Sequence, residues 1–535
     1  MPSRTFAKNI PPLNIAVLGY ALFLVINASS LWGGVFPFFP QDFHTFEVTF
    51  VFMQAQSLAS LAVYVGFFLL AFFSPKALVK PMHMASSLPV FAGGALLIAA
   101  LYLPQWRLAL VAIAGVLIGA GSALLSLLWA RYFSAVSMDH GNFYLLCGTL
   151  LAPIVFFGFY LVPLAVRVFL MPLVFVPLCG LAVLLSYRGL SKEIPIFQDE
   201  PAKHIHTYRH FISTYWRSAL AIGALGFASG LTRAAALSDF AMSDITNVAS
   251  LGGSLVSAGI LLLFWQRHSF TLNLNSVYKF CFPLFAIFLA VLPFMNEGRI
   301  FLGASALYML FSVALMVLML QSAQISRNRG NNPFVVYGFF GSIVGVLQNT
   351  GFILGHLMEK GTALYNGSHF GIAVTGLLVL SLVLYLYFTG FEGGKTQPLP
   401  QDNVEFIAMT MGAPHRVPLQ LPVFTESDIL IVEAQEISPC QEQQKSIPAE
   451  DATDASTYRD LVSKRCQKVQ ERYRLTSREA EVMEFIVRGY TVAQIAQQFV
   501  VSENTVRTHY KHIYAKLDIH KRQELIALIE REDQD

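Results

Sequence analysis

The sequence predicts an all-α protein made of two unlike parts: a polytopic membrane bundle of about twelve transmembrane helices in two sets of six, and, beyond a polar linker, a small soluble helical module. Three observations predict it. Of 535 residues, 55% are hydrophobic and only 13% charged, about half the roughly 25% charged of an ordinary soluble domain. Charge is also unevenly placed, with 19 Lys and Arg against 10 acidic residues before Phe391 and 17 against 23 after it. The apolar residues before Phe391 fall in repeated runs of about 20, the length a helix needs to cross about 30 Å of hydrocarbon. A soluble enzyme does not have this composition.

The first six runs are Leu13 to Gly33, Phe50 to Phe73, Ala85 to Leu103, Leu108 to Ala130, Phe143 to Leu164 and Val168 to Ser186. The first lies behind Arg4 and Lys8 like a secretory signal, but its length and the runs that follow predict an uncleaved helix. The fifth and sixth are separated only by Ala165, Val166 and Arg167. After a polar connection from about Tyr187 to Arg217 come Ser218 to Leu237, Val248 to Trp265, Val277 to Met295, Ile300 to Gln321, Phe334 to Met358 and Phe370 to Phe388. With the N-terminus in the cytoplasm, 14 Lys and Arg fall in inside loops and helix ends and four (Arg107, Arg167, Arg299, Lys360) outside. Because Lys and Arg favour the cytoplasmic side, this predicts that both termini are cytoplasmic and that the chain sits in the inner or plasma membrane of the cell. Trp32, Trp106, Trp129, Trp216 and Trp265 all lie near the ends of the runs, where an indole suits the headgroup region.

Two sets of six helices joined by a cytoplasmic connection resemble the major facilitator transporter architecture, whose halves are repeats packed around a central cavity. The loop between the second and third helices reads Ser74-Pro75-Lys76-Ala77-Leu78-Val79-Lys80 and lacks the acidic residue of that family's signature. Gly115 and Gly119, Gly226 and Gly230, and Gly341 and Gly345 are pairs four residues apart that allow close helix contact. Arg233 is the formally charged residue well inside a span, where insertion of arginine costs roughly 2.5–3.5 kcal/mol. Either it snorkels outward or pairs with Asp239 or Asp244, or it anchors an anion in an outward-facing cavity. Asn27, Gln348 and Asn349 are polar and near mid-helix, and serve either as helix–helix hydrogen bonds or as ligand contacts.

Neither metal nor cofactor is expected. Cys147, Cys179, Cys281, Cys440 and Cys466 lack ligand spacing and read as free thiols, and His204, His206 and His210 have no Cys or clear acidic third ligand beside them. No span pairs a nucleophile with a base, so an integral-membrane enzyme is disfavoured.

From Phe391 to about Ser456 the chain is acidic and Pro-containing, which predicts a flexible linker over 391–457, spanning roughly 45 Å in root-mean-square terms. Within it, Val404 to Met411 and Ile429 to Val432 are apolar strings with the look of two short strands that pair with each other. No phosphate-receiver domain fits there.

Residues 458–535 carry ordinary soluble amphipathicity. Leu461, Val462, Cys466 and Val469 share a face of a first helix. Thr476 and Glu479 form a T-x-x-E capping box ahead of Val482, Phe485 and Ile486. A helix from Thr491 buries Ile495 and Ala496, and a tight turn leads to a third helix capped by Ser502. On that helix Val506, Ile513 and Leu517 face the core, and Arg507, Thr508 and Lys511 face away, suited to reading bases in a major groove. Ser502, Thr505, Lys516 and Arg522 are placed to hold phosphates.

Leu475-Thr476-Ser477-Arg478-Glu479, Gly489-Tyr490-Thr491, Ile495-Ala496, Ser502 to His509, Ile513 to Leu517 and His520-Lys521-Arg522 resemble the LuxR-type helix-turn-helix signature over about 60 residues. The resemblance implies a four-helix domain that binds double-stranded promoter DNA and pairs as a homodimer through its last helix, Arg522 to Ile529. As a whole the chain resembles membrane-bound LuxR-type bacterial regulators with a twelve-helix sensor. That implies a one-component regulator responding to a small molecule, with contacts to membrane lipid and RNA polymerase. The alternative is a secondary transporter with an attached regulatory DNA-binding domain.

Overall fold

The computed structural model describes residues 14–30, 39–78, 83–159, 161–190, 195–236, 240–268, 270–272, 274–295, 297–359, 368–389, 404–406, 465–470, 472–487, 495, 503–519, 524–525 and 528–529. Twelve long helical units precede residue 390 among them, with a short helix at Pro195–Gln198 and several 3-10 turns between them. In the first half they are α1 (Ile15–Ser30), α2 (Phe46–Phe73), α3 (His83–Tyr102), α4 (Arg107–Ala135), α5 (Met138–Phe159) and α6. α6 runs Leu164–Leu170, widens into a π-turn at Met171–Phe175 and continues as Val176–Arg188. Pro172 sits in the widened turn, where its missing N–H interrupts the regular ladder. In the second half are α7 (Ile205–Ala236), α8 (Phe240–Arg267), α9 (Leu274–Val291), α10 (Glu297–Arg329), α11 (Pro333–Glu359) and α12 (Ser368–Thr389).

Eight of these (α2, α4, α5, α6, α9, α10, α11 and α12) contain a segment long and apolar enough to cross a membrane, and α1, α3 and α8 contain shorter apolar ones. Leu88, Ile113, Ile154, Ile260, Phe280 and Leu378 are exposed on six different helices, the outward apolar surface that a lipid-embedded bundle requires. Local sequence sets the ends. Thr45 Oγ1 accepts from the Val48 N–H at the start of α2. Between α10 and α11, Gly330 takes φ 62°. Asn332 Oδ1 then accepts from the Phe334 N–H, and Pro333 occupies the first helical position, where no N–H is needed.

Of the glycine pairs, all but Gly345 mark points of close approach. A Cβ on Gly115 would lie 2.8 Å from the Phe52 carbonyl oxygen, and one on Gly119 would overlap the Gln56 carbonyl, both on α2. In the second half, a Cβ on Gly230 of α7 would overlap the Gln348 carbonyl of α11. Gly341 instead faces the Tyr64 ring at 3.1 Å, so α11 meets α2 across the two halves.

Three expectations are corrected. Ala165, Val166 and Arg167 do not separate the fifth and sixth helices; they lie in α6, because α5 stops at Phe159 and Pro163 caps the next start. Trp129 and Trp265 are 1% exposed and belong to the packed core rather than the headgroup zone. For Trp129 the reason is that α4 runs on to Ala135, which leaves the indole inside the helix, against Tyr20 and Phe133. Trp106, by contrast, is exposed.

The third correction concerns the linker. Val404–Phe406 forms strand β2, paired antiparallel not with Ile429 to Val432, which lie outside the described residues, but with strand β1 (Phe270–Leu272) between α8 and α9. Phe406 stacks on Phe270 at 4.6 Å and 9° and meets the Trp265 edge at 5.1 Å. Val404 and Phe406 are fully buried. Pairing and aromatic stacking at a helix end outweigh the polar composition around them.

The C-terminal module has its own core of Cys466, Val469, Leu475, Val482, Met483, Ile486, Ile495, Val506, Ile513, Leu517, Ile519, Leu525 and Ile529. Its regular elements include α13 (Ser477–Val487) and α14 (Glu503–Leu517).

Candidate functional sites

A cavity of about 210 Å³ lies between the two halves of the bundle. Its described walls come from α1, α2, α4 and α5 in the first half and α7, α8, α10 and α11 in the second, the same four places in each set of six. All four candidates for ligand contact, Asn27, Arg233, Gln348 and Asn349, line it. Arg233 is the one formally charged residue among the described lining.

Arg233 neither snorkels nor reaches water; it is 6% exposed. Its Nη1 donates to the Tyr308 hydroxyl at 2.9 Å, and its guanidinium lies 4.9 Å from the centre of that ring. Nη2 is buried with no partner among the described residues. Asp239 and the Asp244 side chain lie outside those residues. Asn27 Oδ1 and Asn349 Oδ1 are likewise buried without a partner. Nearby hydroxyls are differently engaged. Ser60 donates to the Gly119 carbonyl on α4, while Ser126, Thr149 and Ser312 donate to carbonyls four residues back on their own helices. Sequence reasoning missed Tyr308, since nothing in the pattern links positions 75 residues apart.

At the bundle end carrying the loop after α2, polar ties close the structure. Arg131 Nη1 donates to the Leu78 carbonyl at 3.0 Å, and the guanidinium carbon lies 4.0 Å from the Phe197 ring centre. Arg327 of α10 donates to the Phe133 carbonyl of α4 and to Gln324 Oε1. The Tyr208 hydroxyl donates to Asp199 and accepts from the Asn332 N–H at 2.7 Å. His204 Nε2 lies 4.0 Å from Asp199 Oδ1, His210 is exposed, and the His206 side chain lies outside the described residues.

In the C-terminal module the capping box is reciprocal. The Thr476 N–H donates to Glu479 Oε2 at 2.8 Å, and the Glu479 N–H donates to Thr476 Oγ1 at 3.3 Å. Glu479 is 4% exposed, and Lys516 Nζ, on α14, donates to the same Oε2 at 2.6 Å. Burial by itself would raise the Glu479 carboxyl; the Lys516 ammonium and the Thr476 N–H and hydroxyl outweigh it and hold the group below its ordinary range. Lys516 thus locks the third helix onto the cap of α13, a partnership 37 residues apart that the capping pattern does not reveal. The end of α14 closes on an Ile519 N–H to Tyr514 carbonyl bond of 3.1 Å, with Asp518 at φ 51°.

On α14, Val506, Ile513 and Leu517 are buried, while Thr508 and Lys511 are exposed on another face. Ser502, Arg522 and the side chains of Thr505 and Arg507 lie outside the described residues. Leu525 and Ile529 are buried in the module's own core, so a dimer surface on the last helix has to use other side chains.

Residues 473–529 match the family described as bacterial regulatory proteins, luxR family. The chain is 42% identical over 74 residues to the uncharacterized response regulatory protein YgeK of Escherichia coli, covering 13% of this chain and 50% of that protein. It is 38% identical over 53 residues to the spore germination protein GerE of Bacillus subtilis, covering 10% of this chain and 72% of that one. A bacterial homologue of the iron transporter ferroportin, solved in an outward-facing state, superposes with a TM-score of 0.47 at 15% identity over 70% of this chain and 97% of its own.

Proposed function

Because the chain belongs, through its C-terminal module, to the luxR family of bacterial regulatory proteins, we propose that it is a membrane-bound one-component transcriptional regulator. The membrane bundle senses a small molecule in the cavity between its halves, and the helix-turn-helix binds promoter DNA. The observation that carries this reading is a single chain holding both a LuxR-type module and a bundle cavity whose one charged wall residue has an unpartnered donor. In this reading Arg507, Thr508 and Lys511 read bases, and Ser502, Thr505, Lys516 and Arg522 hold phosphates. The bundle contacts membrane lipid, the module pairs with a second copy on DNA, and RNA polymerase is the downstream partner.

The repeat-like walls of the cavity favour a second reading, a secondary transporter with an attached regulatory DNA-binding domain. Uptake into sealed vesicles separates the two: ligand binding without accumulation supports the sensor, and accumulation supports the transporter.

Chromosomal DNA binding requires the C-terminal module in the cytoplasm. Single cysteines placed in the tail and in the connection between Lys192 and Arg217 are therefore expected to resist an impermeant thiol reagent in intact cells and to react after lysis. Labelling of the tail in sealed cells would reverse the orientation and end the regulator reading.

Arg507→Ala is expected to cost about 1–3 kcal/mol at the specific site and to relax preference at one base pair. Lys516→Ala also removes the tie to Glu479, so, in protein shown by circular dichroism to be folded, it is expected to weaken all sequences alike and to shallow the salt dependence. Gel shifts on specific and scrambled duplexes at several salt concentrations distinguish them. Unchanged affinity and preference for the Arg507 variant would remove it from the groove-facing set.

A further inference from the structure

Among the described lining of the cavity, three polar atoms are buried with no partner, and they come from three helices: Asn27 Oδ1 on α1, Arg233 Nη2 on α7 and Asn349 Oδ1 on α11. Their residues are 5%, 6% and 9% exposed. A buried guanidinium N–H and two buried amide oxygens without partners are each costly. Their three residues line one cavity, so the unmet groups indicate what a ligand there would supply once these side chains turn toward it. The side the arginine presents needs an acceptor, and the amide oxygens need donors.

Charge narrows the class. No Asp or Glu occurs in the described lining, so among the described residues Arg233 gives the cavity a single positive charge with no carboxylate opposite it. A monoanion neutralises that charge, whereas a dianion overshoots it. An ammonium group suits the amide oxygens but shares the void with Arg233 and meets no carboxylate. A hydroxyl donates to an amide oxygen and brings no charge. One Nη1 N–H is committed to Tyr308, and Nη2, which has no partner among the described residues, is the donor assigned to the anion. Size narrows it further, since about 210 Å³ corresponds to roughly seven waters and lies below the usual range of drug-sized pockets. Phe23, Met53, Met316 and Phe352 supply apolar wall.

We propose that the cavity binds a small hydroxylated monocarboxylate, its carboxylate on Arg233 and its hydroxyl on the amide oxygens of Asn27 and Asn349. This assignment rests on the reading of the cavity as a ligand site given above. It names the chemistry that site selects, and does not depend on whether the bound state regulates DNA binding or moves through the membrane.

The test uses the purified full chain in nanodiscs and a matched panel: lactate, 3-hydroxybutyrate, mandelate and 4-hydroxybenzoate, each beside its deoxy acid (propionate, butyrate, phenylacetate, benzoate) and its methyl ester. Ligand-dependent thermal stabilisation and equilibrium binding are read. At least one hydroxy acid is expected to bind, with its deoxy acid and its ester each weaker by about tenfold or more. Arg233→Gln is expected to lower that affinity by about 10- to 100-fold, and Arg233→Lys to retain part of it. Asn349→Asp, which cancels the cavity's charge at nearly constant size, supplies a second variant should Arg233→Gln fail to fold. Absence of binding by every hydroxy acid, equal binding by the esters, or undiminished binding by folded Arg233→Gln or Asn349→Asp protein would overturn the assignment. If a hydroxy acid binds through Arg233 while a reporter driven by the chain's own promoter target stays silent, the ligand class stands and the regulator reading fails.

Discussion

Replacing Gly119 or Gly230 by valine is expected to leave no properly assembled bundle. A Cβ at either position collides with a carbonyl oxygen of the neighbouring helix, Gln56 on α2 or Gln348 on α11. Backbone atoms cannot rotate aside as a side chain does, so the whole helix pair must separate. Separation forfeits the packing that holds helices together where lipid offers no hydrophobic drive, and overpacking in a tight interior typically costs about 1–3 kcal/mol or more. One site lies in each half, so both halves should respond. Gly66 and Gly158 are the controls, because a Cβ at either meets nothing within 4 Å. Alanine at these two positions is expected to be neutral or to raise helix stability by up to about 1 kcal/mol. Size-exclusion profiles and melting temperatures of the detergent-solubilised chain read the contrast. Monodisperse Gly119→Val and Gly230→Val proteins melting with the wild type would show that the close approaches are dispensable.

The second large effect is expected from Glu479→Gln. The amide preserves the shape of the capping box but gives up the ionic bond to Lys516. Hydrogen bonds to charged groups contribute about 1.5–3 kcal/mol, and Lys516 is exposed enough to recover some hydration, so a loss of about 2 kcal/mol is expected. For a small module that is a large share of its total stability. The pH dependence has a definite sign. The Glu479 carboxyl is held below its ordinary range in the folded state, so its contribution is complete above the unfolded value of about 4.3 and is lost as pH falls through the lower folded value. Denaturant unfolding of residues 458–535 is expected to show the wild-type module losing stability below about pH 4 more steeply than Glu479→Gln. Parallel curves would mean that the Lys516 tie contributes nothing to folding.

Much of the bundle is legible in the sequence because crossing a membrane constrains composition so strongly. Each of the twelve expected runs falls mainly on its own long helical unit, although the fifth runs past the end of α5 into the start of α6. Polar residues stranded in apolar runs were equally readable, and Asn27, Arg233, Gln348 and Asn349 meet at one cavity. What escaped was set by tertiary neighbours. Ala165, Val166 and Arg167 carry no backbone signal of their own, whereas Pro163 does. A tryptophan near the end of an apolar run suits headgroups or core equally well, and the extension of α4 to Ala135 decided for the core. The T-x-x-E pattern revealed the cap at Thr476 and Glu479 but not Lys516. Tyr308 was invisible because its role exists only opposite Arg233.

The strand pair beyond α8 makes that helix a mechanical arm. Leu251 and Ser254 touch the cavity and Trp265, on the same helix, touches Phe406. From Leu251 to Trp265 the helix rises about 21 Å. A tilt of roughly 10° pivoting at the cavity swings the tryptophan end by about 4 Å, close to the 4.7–4.9 Å spacing between paired strands. Beyond α12 the chain is thus held a second time, at Val404–Phe406, against the end of α8.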